Sequence, residues 1–297
     1  MTRINKCIEL LEQSQAIFAI PAIELSYDCG VEMSQTWADM IQVDFEHDPF
    51  DTVGLKEFMK GLKDGGPTPS GHLTPTVITT IPSNCKTPEE VIYNAWQVRH
   101  VLSTGAHGIL HTHTRQADAV AMFVAATRYP FQHLGRDHGI PEGLRGQGGQ
   151  KFPANLWDMD PVEYMRIADP WPLNPKGELL LGLKIEDRYC LVDADNIAAV
   201  SGISFAEWGP GDMGMSFGHL DQHDTPYSDE MNDAREIVKN AIDKSGLAFL
   251  CGWKDSTMNE EQQTRFCLDE LGARILHVSD SNLANEIRIE MGREMPW

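Results

Sequence analysis

Apolar runs of strand length alternate along the chain with stretches whose apolar residues recur at helical spacing. The runs at 16–23, 38–45, 74–81, 107–114, 178–186, 203–209, 247–253 and 273–280 predict eight strands. Helical patterns at 87–105, 116–130, 192–202, 229–246 and 259–272 fall between them, and an amphipathic helix opens the chain at 1–15. Thr87-x-x-Glu90 predicts a capping box, and Gly105 a C-terminal cap for the same helix. Regular alternation calls for parallel strands with helical crossovers, and eight units predict a closed (β/α)8 TIM barrel. The runner-up is an open doubly wound sheet, but no Gly-x-Gly-x-x-Gly turn follows the first strand. The whole chain, 1–297, reads as one barrel domain. The Gly- and Pro-rich segment 130–176 is read as a βα loop insert over the barrel mouth with a short helix at 160–169.

Composition narrows the class. A chain of 297 residues with 41% hydrophobic content can bury one large core. Its formal net charge of -20, without a Lys/Arg cluster, excludes nucleic acid as a partner. No apolar run is long enough to cross a membrane, and the N-terminus lacks a signal-peptide pattern, so the expected location is the cytoplasm. Six scattered cysteines without metal-type spacing read as reduced thiols.

Candidate chemistry collects at the C-terminal ends of the predicted strands, where barrels place their active sites. The second strand runs into Asp44, Glu46 and His47, the fourth into His111, Thr112 and His113, and the fifth into Lys184 and Glu186. The sixth leads to Asp212 through Gly-Pro-Gly, and the eighth to Asp280. Glu186 and Asp212 each follow a nearly continuous apolar strand. A carboxylate there is costly unless it is paired or binds a cation. Two such acids suit a hard divalent ion, against the alternative that each caps a helix. His47 is a candidate general base oriented by Asp44 or Glu46, against a solvated histidine. Strand alternation puts His111 and His113 on one face, where a substrate contact or acid/base role fits better than a separate metal site.

These strand ends resemble a family. "IQVDFEHDPFD" resembles the Asp-x-Glu-His segment of the HpcH/HpaI aldolases, metal-dependent (class II) 2-oxo-acid aldolases related to citrate lyase. "STGAHGIL", "ATRYPFQHLGRDHGIPEGLRGQGG", "KIED", "EWGPGDMGMSFG" and "HVSDSNLANE" resemble further family segments in the same order. The resemblance implies a barrel of the phosphoenolpyruvate/pyruvate type with a swapped C-terminal helix, and a homo-hexamer built as a trimer of dimers. It implies a divalent metal, Mg2+ or Mn2+ with Co2+ or Zn2+ as alternatives, held by Glu186 and Asp212. His47 paired with Asp44 would move a proton, and amides near Gly211 and Asp212 would hold the carboxylate of a 2-oxo-acid. His111, His113 and Arg145 join the expected substrate contacts.

The implied reaction is aldol or retro-aldol cleavage to pyruvate, or an analogue, and an aldehyde. The alternatives are a decarboxylase or hydrolase working through the same metal-bound enolate, or a metabolite-binding relative without turnover.

The departures cluster in one mouth. No arginine stands in "PTVITTIPSN" near the end of the third strand, Ser103 replaces the aspartate that closes the helix after that strand, "HTHT" replaces a small Pro-containing strand end, and Lys184 replaces a glutamine. Alternation puts Lys184 on the same face as Glu186. Three roles stay open for Lys184: the missing positive charge, an ion pair that only neutralises Glu186, or a Schiff-base nucleophile. Phe131, Phe152, Trp157 and Trp171 are expected near the mouth as acceptor contacts or lid core.

Overall fold

The computed structural model describes residues 3–297. Its strands are β1 (Ile17–Pro21), β2 (Met40–Val43), β3 (Thr76–Asn84), β4 (Gly108–Thr112), β5 (Pro170–Trp171), β6 (Leu179–Lys184), β7 (Phe205–Trp208), β8 (Ala248–Cys251) and β9 (Ile275–His277). Every pairing is parallel. The order β4-β3-β2-β1-β9-β8-β7-β6 closes through the β4–β6 pair, giving a TIM barrel of eight strands and not an open sheet. The two-residue β5 pairs only with the start of β6.

The continuous apolar runs reflect burial on both faces, as parallel strands require. Ile17, Ala19, Met40, Ile78, Leu110, Leu180, Phe205, Leu250 and Ile275 fill the barrel interior. The alternate residues, among them Phe18, Ile41, Val77, Ile109, Leu181 and Phe249, pack outward against the helices. A Cβ on Gly182 would lie 2.2 Å from the Phe205 ring, so glycine is what lets that ring fill the lower barrel. Two residues further up each strand, Lys184 and Glu207 form the next layer, at the mouth.

The N-terminal helix Lys6–Glu12 closes the opposite end. Its Cys7, Ile8 and Leu10 join the interior cluster, and the Cys7 N–H donates to Thr76 Oγ1 at the start of β3 (3.2 Å). Asp39, just before β2, ties the chain's two ends together. Its buried carboxylate meets Lys6 (2.9 Å), Arg288 (3.2 Å) and Arg293 (2.9 Å) and accepts from the Phe18 N–H (3.1 Å).

Several expectations need correction. Segment 130–176 does not cover the mouth. It leaves the end of helix Ala117–Ala126 and enters the start of β6, and helices run antiparallel to barrel strands, so it lies at the N-terminal face. Trp157 Nε1 donates to Gly105 O (3.0 Å) and Tyr164 Oη to Leu102 O (3.2 Å), both at the end of helix Pro88–Leu102. Trp157 is therefore core of the insert, and none of the four aromatics forms a lid over the mouth. The expected helix at 160–169 is present as Pro161–Ile167.

The terminal helix Ser281–Glu290 packs on the barrel of its own chain. Leu283, Ala284 and Ile287 are buried in this chain's own core, and Arg288 pairs with this chain's Asp39. Asp280 caps that helix by accepting from the Asn282 N–H (2.8 Å). Only half of the expected capping box forms: Thr87 accepts from the Glu90 N–H (3.2 Å), but the Glu90 carboxylate accepts from Asn84 Nδ2 (2.8 Å). All six cysteines are free. No helix among the described residues is long and apolar enough to cross a membrane.

Candidate active site

The turn after β2 is pinned by a hydroxyl from β3. Thr80 Oγ1 accepts from the Phe45 N–H (2.7 Å) and Glu46 N–H (2.9 Å) and donates to Asp44 Oδ1 (2.9 Å). Asp44 Oδ1 also accepts from the Glu46 N–H (2.9 Å), while Oδ2 lies 2.7 Å from His47 Nδ1. Asp44 and His47 thus form a pair, with the imidazole 65% exposed. The Asp44 hydrogen bond outweighs partial burial and raises His47 above its ordinary 6.5. Burial alone would raise Asp44, but hydrogen bonds from His47, Thr80 and the Glu46 N–H hold it below the usual carboxylate range.

Glu46 turns inward to Lys184, with Oε2 2.5 Å from Nζ. Lys184 also lies 3.7 Å from Glu186 Oε1 and 4.0 Å from Glu207 Oε2, so Lys184 and Glu186 do share a face. Burial would lower the Lys184 ammonium, but Glu207, Glu186 and Glu46 together push it well above its ordinary value. Glu207 sits inside β7, not beyond its end, where a search of strand ends does not find it. Burial raises its carboxyl, with Lys184 opposing the rise.

Glu186 is almost wholly buried, and neither carboxylate oxygen has a hydrogen-bond partner. Burial, reinforced by Glu207, Asp212 and Glu46, pushes its carboxyl far up against the pull of Lys184. Gly209 makes this placement sterically feasible, since a Cβ there would lie 2.2 Å from Glu186 Oε2. Gly209 caps helix Pro210–Phe217, whose first turn carries Asp212. The Asp212 charge reaches both Glu186 and His113. Gly211 lies under His223, whose ring would be 2.3 Å from a Cβ at that position.

The two histidines at the end of β4, His111 within it and His113 just beyond it, part company. His113 adopts a left-handed backbone (φ 47°), which breaks the alternation. Its ring lies between Glu46 Oε1 (Nε2, 3.3 Å) and Glu186 Oε1 (Nδ1, 3.6 Å). Burial holds it below the ordinary value although Asp212 and Glu46 pull upward. His111 instead packs edge-on against Phe123 of the helix layer, and burial pulls it down to about 3. It is a neutral core residue outside the mouth. Arg145 is also elsewhere: it lies in the insert, over the Tyr129 ring (4.3 Å), and donates to Tyr164 Oη (3.1 Å). His277, on the inward face of β9, feels the Lys184 charge and was not assigned a role from sequence.

Glu46, His113 and Glu186 present ligand atoms within 4.8 Å of one another, and Asp44, Glu46 and His47 form a second such group. Glu186 is the sharper signal. A buried carboxylate with two unsatisfied oxygens fits a cation, and a mainly oxygen donor set fits a hard divalent one.

Comparison with known proteins agrees with this architecture. The family model described as HpcH/HpaI aldolase/citrate lyase matches residues 89–267. A hydroxypyruvate/pyruvate aldolase of Paraburkholderia phytofirmans is 26% identical over 248 residues, covering 83% of this chain and 82% of that relative. The crystal structure of an HpcH/HpaI aldolase/citrate lyase family protein from Burkholderia cenocepacia superposes with a TM-score of 0.70 at 19% identity, over 97% of this chain and 98% of that one. A citrate lyase beta subunit from M. tuberculosis, complexed with oxaloacetate and magnesium, gives 0.52 at 13% identity, over 92% and 94% of the two chains. The family model spans more than half of the chain, and the chain belongs to the HpcH/HpaI aldolase/citrate lyase family.

Proposed function

We propose that this protein is a divalent-metal-dependent carbon–carbon lyase that cleaves a hydroxylated 2-oxo-acid to pyruvate, or a close analogue, and an aldehyde. The observation that carries the reading is Glu186, a buried carboxylate with both oxygens unpartnered, beside His113 and within the field of Asp212. Glu186 and Asp212 would hold the ion; Glu46 and His113 bring ligand atoms into one group with Glu186, while Asp212 lies outside that group and acts on Glu186 through its charge. Bound Mg2+ or Mn2+ supplies a Lewis acid for the oxygen that gains charge as the bond breaks, worth several kcal/mol. The mainly oxygen donor set favours a hard ion such as Mg2+ or Mn2+, and the citrate lyase beta subunit is complexed with magnesium.

In this reading the chain's own groups divide the remaining work. His47 Nε2 takes the proton from the substrate hydroxyl, and Asp44 holds the ring and steadies the imidazolium. The N–H groups of Gly211 and Asp212, at the start of helix Pro210–Phe217, hold the substrate carboxylate. Lys184 supplies the positive charge that β3 lacks. We place the enzyme in the cytoplasm as a homo-hexamer, a reading supported by the family resemblance.

Product analysis tests the proposal. Hydroxypyruvate or pyruvate with an aldehyde acceptor should give an aldol, and each aldol should return its own 2-oxo-acid donor and the aldehyde. Carbon dioxide together with the shortened aldehyde, and no aldol, would replace the aldolase with a decarboxylase.

The His47–Asp44 pair also predicts a pH profile. The base must be neutral, so kcat/KM should rise with pH through a His47 ionisation above the ordinary 6.5. Asp44→Asn removes the hydrogen bond that raises it and should move this acid limb to lower pH. An unmoved limb would take His47 out of the proton transfer.

A further inference from the structure

Glu207 lies directly across from Lys184 in the register of β6 and β7, and both side chains point into the barrel. The layer below is already filled by Phe205 against Gly182, so a carboxylate here does not serve packing. Its side chain is only 15% exposed, and Oε2 has no hydrogen-bond partner. A buried carboxylate is costly without a counter-charge, and among the described residues the one it pairs with is Lys184, 4.0 Å away.

Lys184 has two other partners, Glu46 and Glu186. Both belong to the group whose ligand atoms fit a metal ion. A divalent ion there competes with the ammonium for these carboxylates, leaving Glu207 as the partner outside the group. In the closed barrel β7 lies diametrically opposite β2, which leads into Glu46. The ammonium is therefore strung across the barrel between Glu46 and Glu207.

We propose that Glu207 is a positioning residue that holds the Lys184 ammonium at the barrel mouth once a divalent ion claims Glu186 and Glu46. This rests on the metal-dependent lyase reading above, and makes Glu207 the group that keeps Lys184 available to the 2-oxo-acid.

The test is a double-variant cycle together with crystals of the Mn2+-soaked protein. Glu207→Gln should lower kcat about tenfold to a hundredfold while KM stays within about twofold, the pattern of a misplaced group and not of lost binding. Glu207→Asp should recover part of that loss because it keeps the charge. In a Lys184→Met background Glu207→Gln should cost nothing further. In the Mn2+-loaded wild type Lys184 Nζ should stay about 4 Å from Glu207, and in Mn2+-loaded Glu207→Gln it should leave that position. Losses that multiply in the double variant, full turnover by Lys184→Met, or an ammonium withdrawn from Glu207 in the loaded wild type would each overturn the proposal. Soaked crystals with no ion at Glu186 would overturn it together with the metal reading. A wild type that cleaves no aldol removes the proposed function, while the loaded crystal still decides the place of Glu207.

Discussion

Glu186→Gln is expected to lower carbon–carbon cleavage by about a thousandfold and, in the metal-free protein, to raise stability. The activity loss corresponds to the several kcal/mol that a bound Lewis acid supplies. The gain in stability follows from burial: the wild-type carboxylate has no hydrogen-bond partner on either oxygen. A neutral amide of the same shape relieves ~1–3 kcal/mol of desolvation cost. The pH dependence has a definite sign. Burial raises the Glu186 carboxyl above its ordinary value, so its contribution to stability is full below the ordinary carboxylate range and is lost as pH rises toward neutrality. Thermal unfolding of the two metal-free proteins at pH 7 should therefore favour the variant, and the difference should shrink in acid. Added Mn2+ should stabilise the wild type alone. A variant less stable than wild type without metal would mean that the Lys184 pair, not a cation, is what Glu186 serves.

Asp39→Asn is expected to cost ~3–5 kcal/mol of folding stability, the loss typical of removing one partner from a buried charge cluster. It leaves Lys6, Arg288 and Arg293 buried without their shared carboxylate. Burial alone would raise Asp39, but Lys6, Arg293 and Arg288 hold it down to about 2. Its contribution is thus present above the ordinary carboxylate value of 3.8 and is lost as pH falls toward 2. Urea unfolding at pH 7 measures the effect. A change under about 1 kcal/mol would mean that the three cations find other partners or solvent. Because Asp39 joins the N-terminal helix, β1 and the C-terminal segment, the variant should loosen both chain ends first.

The barrel is readable in the sequence because parallel strands buried on both faces leave apolar runs that little else in a chain of this size produces. The paired helices Tyr27–Met33 and Thr52–Asp64 are less legible. They meet through Gly30 and Gly61, where a Cβ would strike the facing backbone at 2.2 and 2.1 Å, and glycines dilute the apolar period. Segment 130–176 lies at the N-terminal face and not over the mouth, as its position after a helix and before a strand requires. Asp44, Glu46, His47 and Glu186, which gather at the mouth, are legible because each follows a strand end; Asp212 follows one too but falls outside both groups of ligand atoms. Glu207 and Thr80 escape that criterion because they lie within β7 and β3. His111 was misplaced because alternation assumes extended backbone, and the left-handed turn at His113 ends it. The role of Lys184 is not legible without its three carboxylates, which come from the turn after β6, from β7 and from the turn after β2.

The central claim is that Glu186, with Asp212, holds a divalent cation needed for cleavage. Calorimetric titration of the metal-stripped protein with Mn2+, followed by pyruvate release from the same samples, tests it most directly. The wild type should bind a single Mn2+ per chain and recover turnover on binding, and Glu186→Gln should do neither. Equal Mn2+ affinity in the variant, or full pyruvate release by the stripped wild type, would contradict the account.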